Sequence, residues 1–256
     1  MDNKQSVQAQ FQGVAHSYAT SQVFTQGIDL EVIGQVADRL RPHRALDVGT
    51  AAGHTAFILS QHADLVVGLD LTGPMLVRAN EEARSRGLGN LAWVQGDVEH
   101  LPIATDTFDL VTCRFCGHHF PHPELFISET ARILRPGGEI LIADVVAPPD
   151  DRFDQWINEF EVIRDPSHAR DYRGSEWKNM LENAGMRGQT ILDWRLRLDL
   201  TDWTARMRTP PDKIALLRQR MKDADGDLRS TFEIETPDEG PWSFVLHCAV
   251  IRGTFK

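Results

Sequence analysis

The chain has 256 residues, 41% apolar and 25% charged, a composition that buries a full core without disulfide or metal staples. Its 37 acidic and 27 basic residues leave a formal net charge of −10, which argues against nucleic acid and anionic membrane surfaces, partners held by clustered Lys and Arg. The three cysteines are irregularly spaced, residues 1–12 lack the apolar core of a signal peptide, and no apolar run nears the roughly 18 residues of a membrane span; a cytoplasmic protein without membrane insertion is expected.

Through residue 147 short apolar runs alternate with helical patterns, as βαβ units do around a parallel sheet. Strands are expected at 44–48, 64–70, 91–95, 108–113 and 139–145, with helices at 52–62, 75–86 and 123–134 between them. Leu76, Ala79 and Ala83 recur at helical spacing in the second helix, and Arg135-Pro-Gly-Gly138 is expected to stop the third, a Gly supplying the left-handed turn. A Pro- and Asp-rich break at 148–151 then changes the rhythm. Helical segments are expected at 153–164, 175–184 and 211–223, and extended stretches at 189–199, 230–236 and 242–252. Trp156, Trp177, Trp194 and Trp203 fall in this half, either as plain packing of cap helices or as an apolar substrate lid.

Chemistry concentrates where the first strand turns into a helix, at Asp47-Val-Gly49-Thr50-Ala51-Ala-Gly53. Backbone N–H groups converge at such a turn, and glycines let a ligand approach them closely. The spacing is not the G-x-G-x-x-G of a dinucleotide site, and the Asp47 carboxylate would repel a pyrophosphate. S-adenosylmethionine, carrying a sulfonium and an ammonium against one carboxylate, suits that acid. Two more acids follow strands: Asp70 after the second, placed to accept ribose hydroxyls, and Asp97 after the third, placed to accept an adenine amine. A single Asp at a strand end is more often a turn former; three at one sheet edge are a pattern.

These runs, with Gly68-Leu-Asp70, Gly96-Asp97, Phe108-Asp109 and Arg132-Ile-Leu-Arg-Pro-Gly-Gly138, resemble the class I S-adenosylmethionine-dependent methyltransferases. The segment Cys113-Arg-Phe-Cys-Gly-His-His-Phe120 and the N-terminal Phe11-x-x-x-Ala15-x-x-Tyr18 are similar to the small-molecule group related to ubiquinone/menaquinone-biosynthesis methyltransferases. The resemblance covers roughly residues 10–145; Ala51 departs from it, standing where the family prefers Gly. It implies an α/β, Rossmann-like, doubly wound seven-stranded sheet of order 3-2-1-4-5-7-6, last strand antiparallel, with helical lid insertions. It also implies one methyltransferase domain over 1–256, with cap helices in 1–40 and lid insertions over 148–228. Cofactor contacts are expected from Tyr18, Asp47, Gly49, Thr50, Gly53, Asp70, Leu71, Met75, Asp97, Val98, Cys113 and Arg114.

Cys113 and Cys116 with the nearby histidines have the look of a metal motif, but a zinc site needs a second ligand pair, and a packing role without metal is expected. His118 and His119 follow the fourth strand; one of them caps a helix or packs at the cofactor, or takes a proton from the nucleophile as a general base. His168, with Asp165 placed to orient it, is the rival base, and Tyr18 and His16 are further candidates. The expected activity is methyl transfer to a small-molecule acceptor, aromatic or apolar, by in-line displacement. The alternatives are an S-adenosylmethionine-binding protein without transferase activity and a nicotinamide-dependent oxidoreductase. A homodimer is compatible with the sequence.

Overall fold

Five strands run parallel: β1 (Arg44–Val48), β2 (Leu65–Asp70), β3 (Leu91–Gln95), β4 (Phe108–Arg114) and β5 (Leu134–Val145). A long C-terminal strand, β7 (Ser243–Phe255), runs antiparallel between β5 and β6 (Met186–Asp199), giving the order β3-β2-β1-β4-β5-β7-β6. This is the order and direction that the resemblance implies. The computed structural model describes residues 3–12 and 25–255, so Tyr18, His16 and Ala15 lie outside the described residues.

Strands with both faces covered read as continuous apolar runs, and β1 shows why. Ala45 packs beneath Ile33, Val36 and Ala37 of α2 (Ile28–Leu40) and Ala56 and Leu59 of α3 (His54–Leu59). Its neighbours Leu46 and Val48 face the other side, with Phe126 and Ile127 of α5 (Pro123–Ile133) and Trp177 and Leu181 of α7 (Gly174–Asn183). Helix α4 (Gly73–Ser85) joins β2 to β3, burying Leu76, Ala79 and Ala83 at the expected spacing. So α2, within the stretch expected to cap the site, covers the sheet instead. Among the described residues of that stretch, α1 (Asn3–Gln12), a polar helix that buries no residue, lies over the ends of β1 to β4.

Helix α5 stops at Ile133, before the Arg-Pro-Gly-Gly turn, and the left-handed residue is Gly137 (φ 83°), already at the start of β5. Beyond β5, helices α6 (Asp151–Arg164), α8 (Leu200–Arg206), α9 (Pro211–Asp223) and α10 (Gly226–Thr231) build a second core over the ends of β5, β6 and β7. Trp156 stacks on Phe160 at 4.9 Å, and Phe160 on Trp203 at 5.4 Å, so two of the tryptophans are packing elements here. Trp177 is buried in the main core. The strand expected at 230–236 is absent. Asp225 caps α10 there, and the alternation of Phe232 and Ile234 comes from both side chains burying in the lid, with only Glu235 bridged to Ser243. No helix among the described residues is long and apolar enough to cross a membrane.

Candidate active site

A cleft of about 1000 Å³ opens where β1 to β4 end. Its floor is the 49–52 turn after β1, its walls are Asp70, Leu71 and Thr72 after β2 and Gly96, Asp97 and Val98 after β3, and Arg114, Phe115 and Cys116 close it after β4. Asn3, Lys4, Val7 and Phe11 of α1 line its roof. This is the carboxyl edge of the sheet, where open α/β folds bind ligands.

The floor is shaped by left-handed backbone. Gly49 has φ 62° and Ala51 φ 46°, and the turn is tied to β2 by the Thr50 amide donating to the Leu69 carbonyl at 3.0 Å. A Cβ on Gly49 would stand 2.1 Å from Cys116 Sγ, so only glycine fits. Met75, at the start of α4, and Thr50 complete the apolar and polar lining.

The three acids have three different environments. Asp47, expected to face the ligand, is 1% exposed and does not line the cleft. Its two oxygens accept the hydroxyls of Thr50 at 2.6 Å and Thr112 at 2.8 Å, so it braces the floor turn against β4. Burial pushes its pKa up to about 6, opposed by those two hydroxyls. Asp70 lines the cleft and accepts the Ala51 amide at 2.9 Å and the Thr72 amide at 2.8 Å, one on each oxygen. A carboxylate has about four acceptor sites, so lone pairs remain for ligand hydroxyls. Burial raises the Asp70 pKa, with the Thr72 amide opposing. Asp97 accepts the Glu99 amide at 3.0 Å and the Lys4 ammonium at 2.6 Å. Lys4 reaches Glu99 as well, and Glu99 also accepts the His122 amide at 3.2 Å. Lys4 and Glu99 carry no motif, and sequence reasoning passes over both. Asp109 lies at the opposite edge, holding the Arg44 amide and Arg135.

Of the other expected contacts, Leu71, Met75, Val98 and Arg114 line the cleft, whereas Gly53 and Cys113 do not. Cys113 is fully buried in the core, and Cys116 takes its place at the cleft wall. Arg114 is held by a buried ion pair with Asp29 from the first turn of α2, a partner with no local signal in the sequence. Among the described residues no group of three His, Cys, Asp or Glu side chains stands at metal-binding spacing.

The histidines divide sharply. His118 places Nδ1 2.7 Å from Asp144 Oδ1, at the end of β5. Burial works to lower its pKa, but the charge and hydrogen bond of Asp144 override this and hold it at about 10. A protonated imidazole has no lone pair to receive a proton, which speaks against His118 as the base. His119 lines the cleft, edge-on to Phe11 at 5.0 Å, and hydrogen-bonds the Ser167 carbonyl through Nδ1 at 3.1 Å. Burial, then the neighbouring His118 charge, lowers its pKa to about 4. His168 stacks on His118 at 5.6 Å and lies 3.3 Å from Asn158 Oδ1, away from the cleft lining. The Asp165 carboxylate, expected to orient His168, instead accepts the Ser167 amide and hydroxyl.

A model described as a methyltransferase domain matches residues 46–142, which spans the floor turn, both cleft acids and His118 and His119. The chain is 35% identical over 240 residues to the uncharacterized methyltransferase YcgJ of Bacillus subtilis (strain 168), covering 93% of this chain and 95% of that protein. The crystal structure of YcgJ superposes with a TM-score of 0.86 at 34% identity, over 89% of this chain and 98% of that one. The ubiquinone/menaquinone biosynthesis C-methyltransferase UbiE of Sinorhizobium fredii is 36% identical over 129 residues, 46% of this chain and 49% of that protein.

Proposed function

We propose that this chain, which belongs to the class I S-adenosylmethionine-dependent methyltransferases, uses the cleft over β1 to β4 to methylate a small-molecule acceptor. Family membership sets aside the oxidoreductase alternative. The observation that carries the reading is the pairing of Asp70 and Asp97 at adjacent strand ends with the apolar Leu71, Met75 and Val98 between them. That donor set fits the cofactor: acids for ribose hydroxyls and a purine amine, apolar side chains for the ring faces, and a floor turn without side-chain bulk at Gly49.

When bound, S-adenosylmethionine supplies an electrophilic methyl group that an acceptor nucleophile takes by in-line displacement. Everything else falls to the chain. Asp70 orients through its remaining lone pairs, Asp97 and Val98 border the purine side, and Arg114, fixed by Asp29, closes the far wall. Phe11 and Phe120 give the roof and rim apolar cover that excludes water, so alignment supplies much of the rate. His119, neutral at pH 7 with its one proton on Nδ1 toward the Ser167 carbonyl, is the histidine of the set that both faces the cleft and keeps a free lone pair. The single unit spanning 1–256, with α1 as cap and 148–228 as lid, and a cytoplasmic site of action belong to the same reading. It is supported by the polar α1 roof and by three free cysteines.

Calorimetry tests it. S-adenosylmethionine and S-adenosylhomocysteine should bind, and NADH should not. Asp70→Asn should weaken both adenosyl ligands about tenfold, the scale of hydrogen bonds to a charged group. Absence of adenosyl-ligand binding by the wild-type chain would overturn the reading.

A further inference from the structure

Behind the cofactor cleft lies a second cavity of about 490 Å³, and Phe115 lines both. Phe115 holds φ 48°, a left-handed conformation that a bulky side chain rarely adopts and that collects at functional sites. Trp203, Leu196 and Leu198 give the second cavity an apolar wall. Facing them are Glu161 of α6 and Asp171 of the loop before α7.

Asp171 is 1% exposed, and neither of its carboxylate oxygens has a hydrogen-bond partner among the described residues. Glu161 is 6% exposed, with Arg164 Nη1 3.9 Å away, beyond hydrogen-bond distance. A buried carboxyl without donors has given up its hydration with nothing in return, and native chains seldom keep such a group without a use. Burial, then the neighbouring Glu161, pushes the Asp171 carboxyl well up, and an incoming cation would offset both by favouring the carboxylate.

The cations that line the cavity are already engaged. Arg164 donates to the Trp203 carbonyl at 3.0 Å and lies over its ring at 4.6 Å. His118 is paired with Asp144, and Arg206 has a partner within the chain. The unmet demand in the cavity is therefore for hydrogen-bond donors and positive charge.

We propose that this cavity is the acceptor subsite and that it takes a primary or secondary amine carried on an apolar, ring-sized body. The nitrogen is held by Asp171 and Glu161, one of which takes its proton so that the freed lone pair can accept the methyl group as S-adenosylhomocysteine leaves, and the body lies against Phe115 and Trp203. This rests on reading the adjacent cleft as the cofactor site. Carboxylate or phosphate acceptors are disfavoured, since they would meet the unpartnered Asp171 carboxyl while the lining cations are held by groups of the chain.

The test is calorimetry on the full chain with 2-phenylethylamine, 2-phenylethanol and 3-phenylpropionate as probes, in the wild type, Asp171→Asn and Glu161→Gln, with S-adenosylhomocysteine as a separate arm. Phenylethylamine should bind the wild type at millimolar concentration or better, at least about tenfold tighter than the alcohol, and Asp171→Asn should lose about tenfold. S-adenosylhomocysteine should bind all three proteins alike, because neither acid lines its cleft. Asp171→Asn should melt no lower than the wild type, since it removes an unpaired buried acid. The proposal is overturned if the amine does not bind while S-adenosylhomocysteine does, if propionate binds as well as the amine, or if Asp171→Asn binds the amine unchanged or melts several degrees lower. Failure of S-adenosylhomocysteine to bind the wild type would instead overturn the reading of the cleft. The comparison of the three probes on the wild type stands even if a variant does not fold.

Discussion

His118 and His119 are sequence neighbours with rings 4.3 Å apart, yet they take opposite protonation states at neutral pH. Asp144 holds the proton on the first, and that charge, added to burial, keeps it off the second. Two imidazolium ions at this distance would repel strongly, so the anion beside His118 decides which ring is charged. One ring thereby becomes a fixed cation at the end of β5, and the other a neutral hydrogen-bonding group in the cleft.

The pH dependence of stability follows. The His118 pKa rises from 6.5 to about 10 on folding, so its contribution is fully present below pH 6.5 and lost as pH climbs toward 10. His119 moves the other way, from 6.5 to about 4, and its contribution is lost as pH falls through that window. Asp47, raised from 3.8 to about 6, loses stability as pH rises through its own window and offsets part of the His119 limb. The unfolding free energy, read from denaturant melts, should therefore fall between pH 7 and pH 10 in the wild type, by on the order of a few kcal/mol, and stay nearly flat in Asp144→Asn. Parallel declines in the two proteins would refute the assignment.

Gly49 faces Cys116 with no room for a methyl group. Gly49→Ala should weaken S-adenosylhomocysteine at least about tenfold and destabilise the chain by about 1–3 kcal/mol, through overpacking added to strain at a positive φ. Adding Cys116→Gly removes both the sulfur at 2.1 Å and the Cβ at 2.6 Å and should recover part of the lost affinity. Calorimetry and denaturant melts read the two effects. Unaltered affinity in Gly49→Ala would show that the floor does not approach the ligand as closely as its backbone suggests.

The roof helix α1 buries no side chain and, besides the edge-on contact of Phe11 with His119, is attached by polar reach: Lys4 to Asp97 and Glu99, Asn3 to the Ser167 carbonyl, Gln8 to the Leu71 carbonyl and Gln10 to the Met207 carbonyl. The Lys4 pair with Asp97 is about a third exposed on both sides, so it holds the roof weakly. Lys4→Met should speed proteolysis within α1 and the dissociation of S-adenosylhomocysteine about threefold to fivefold, leaving the melting temperature almost unchanged. Stopped-flow release and limited proteolysis measure this, and equal rates in both proteins would remove Lys4 as the latch.

The parallel sheet was legible because its strands are Val-, Ile- and Leu-rich runs separated by helical spacing, and Asp70 and Asp97 because each directly follows such a run. Asp47 follows one too, and nothing local distinguishes an acid facing a ligand from one capped by Thr112 on the neighbouring strand. The partners that complete the cleft come from far along the chain. Asp29 holds Arg114, and Lys4 meets Asp97, contacts set by packing rather than by spacing. The short helices α8 and α10 carry too few turns to show a period, and Phe232 and Ile234 alternate like a strand only because both are buried in the lid.

Ala51 stands where the sequence resemblance leads one to expect Gly, and its φ of 46° is the left-handed conformation that favours glycine. A left-handed residue with a Cβ is strained by roughly 1–2 kcal/mol. Glycine would relieve that strain and lose about 0.5–1 kcal/mol to the greater freedom of the unfolded chain. Ala51→Gly is therefore expected to be neutral or to stabilise by up to about 1.5 kcal/mol. Its amide would still donate to Asp70, so the acid keeps its orientation and S-adenosylhomocysteine should bind within about threefold of the wild type. Denaturant unfolding and calorimetry on the single variant settle both points. Destabilisation by more than about 1 kcal/mol would mean that the Ala51 methyl makes packing contacts worth more than the strain it carries.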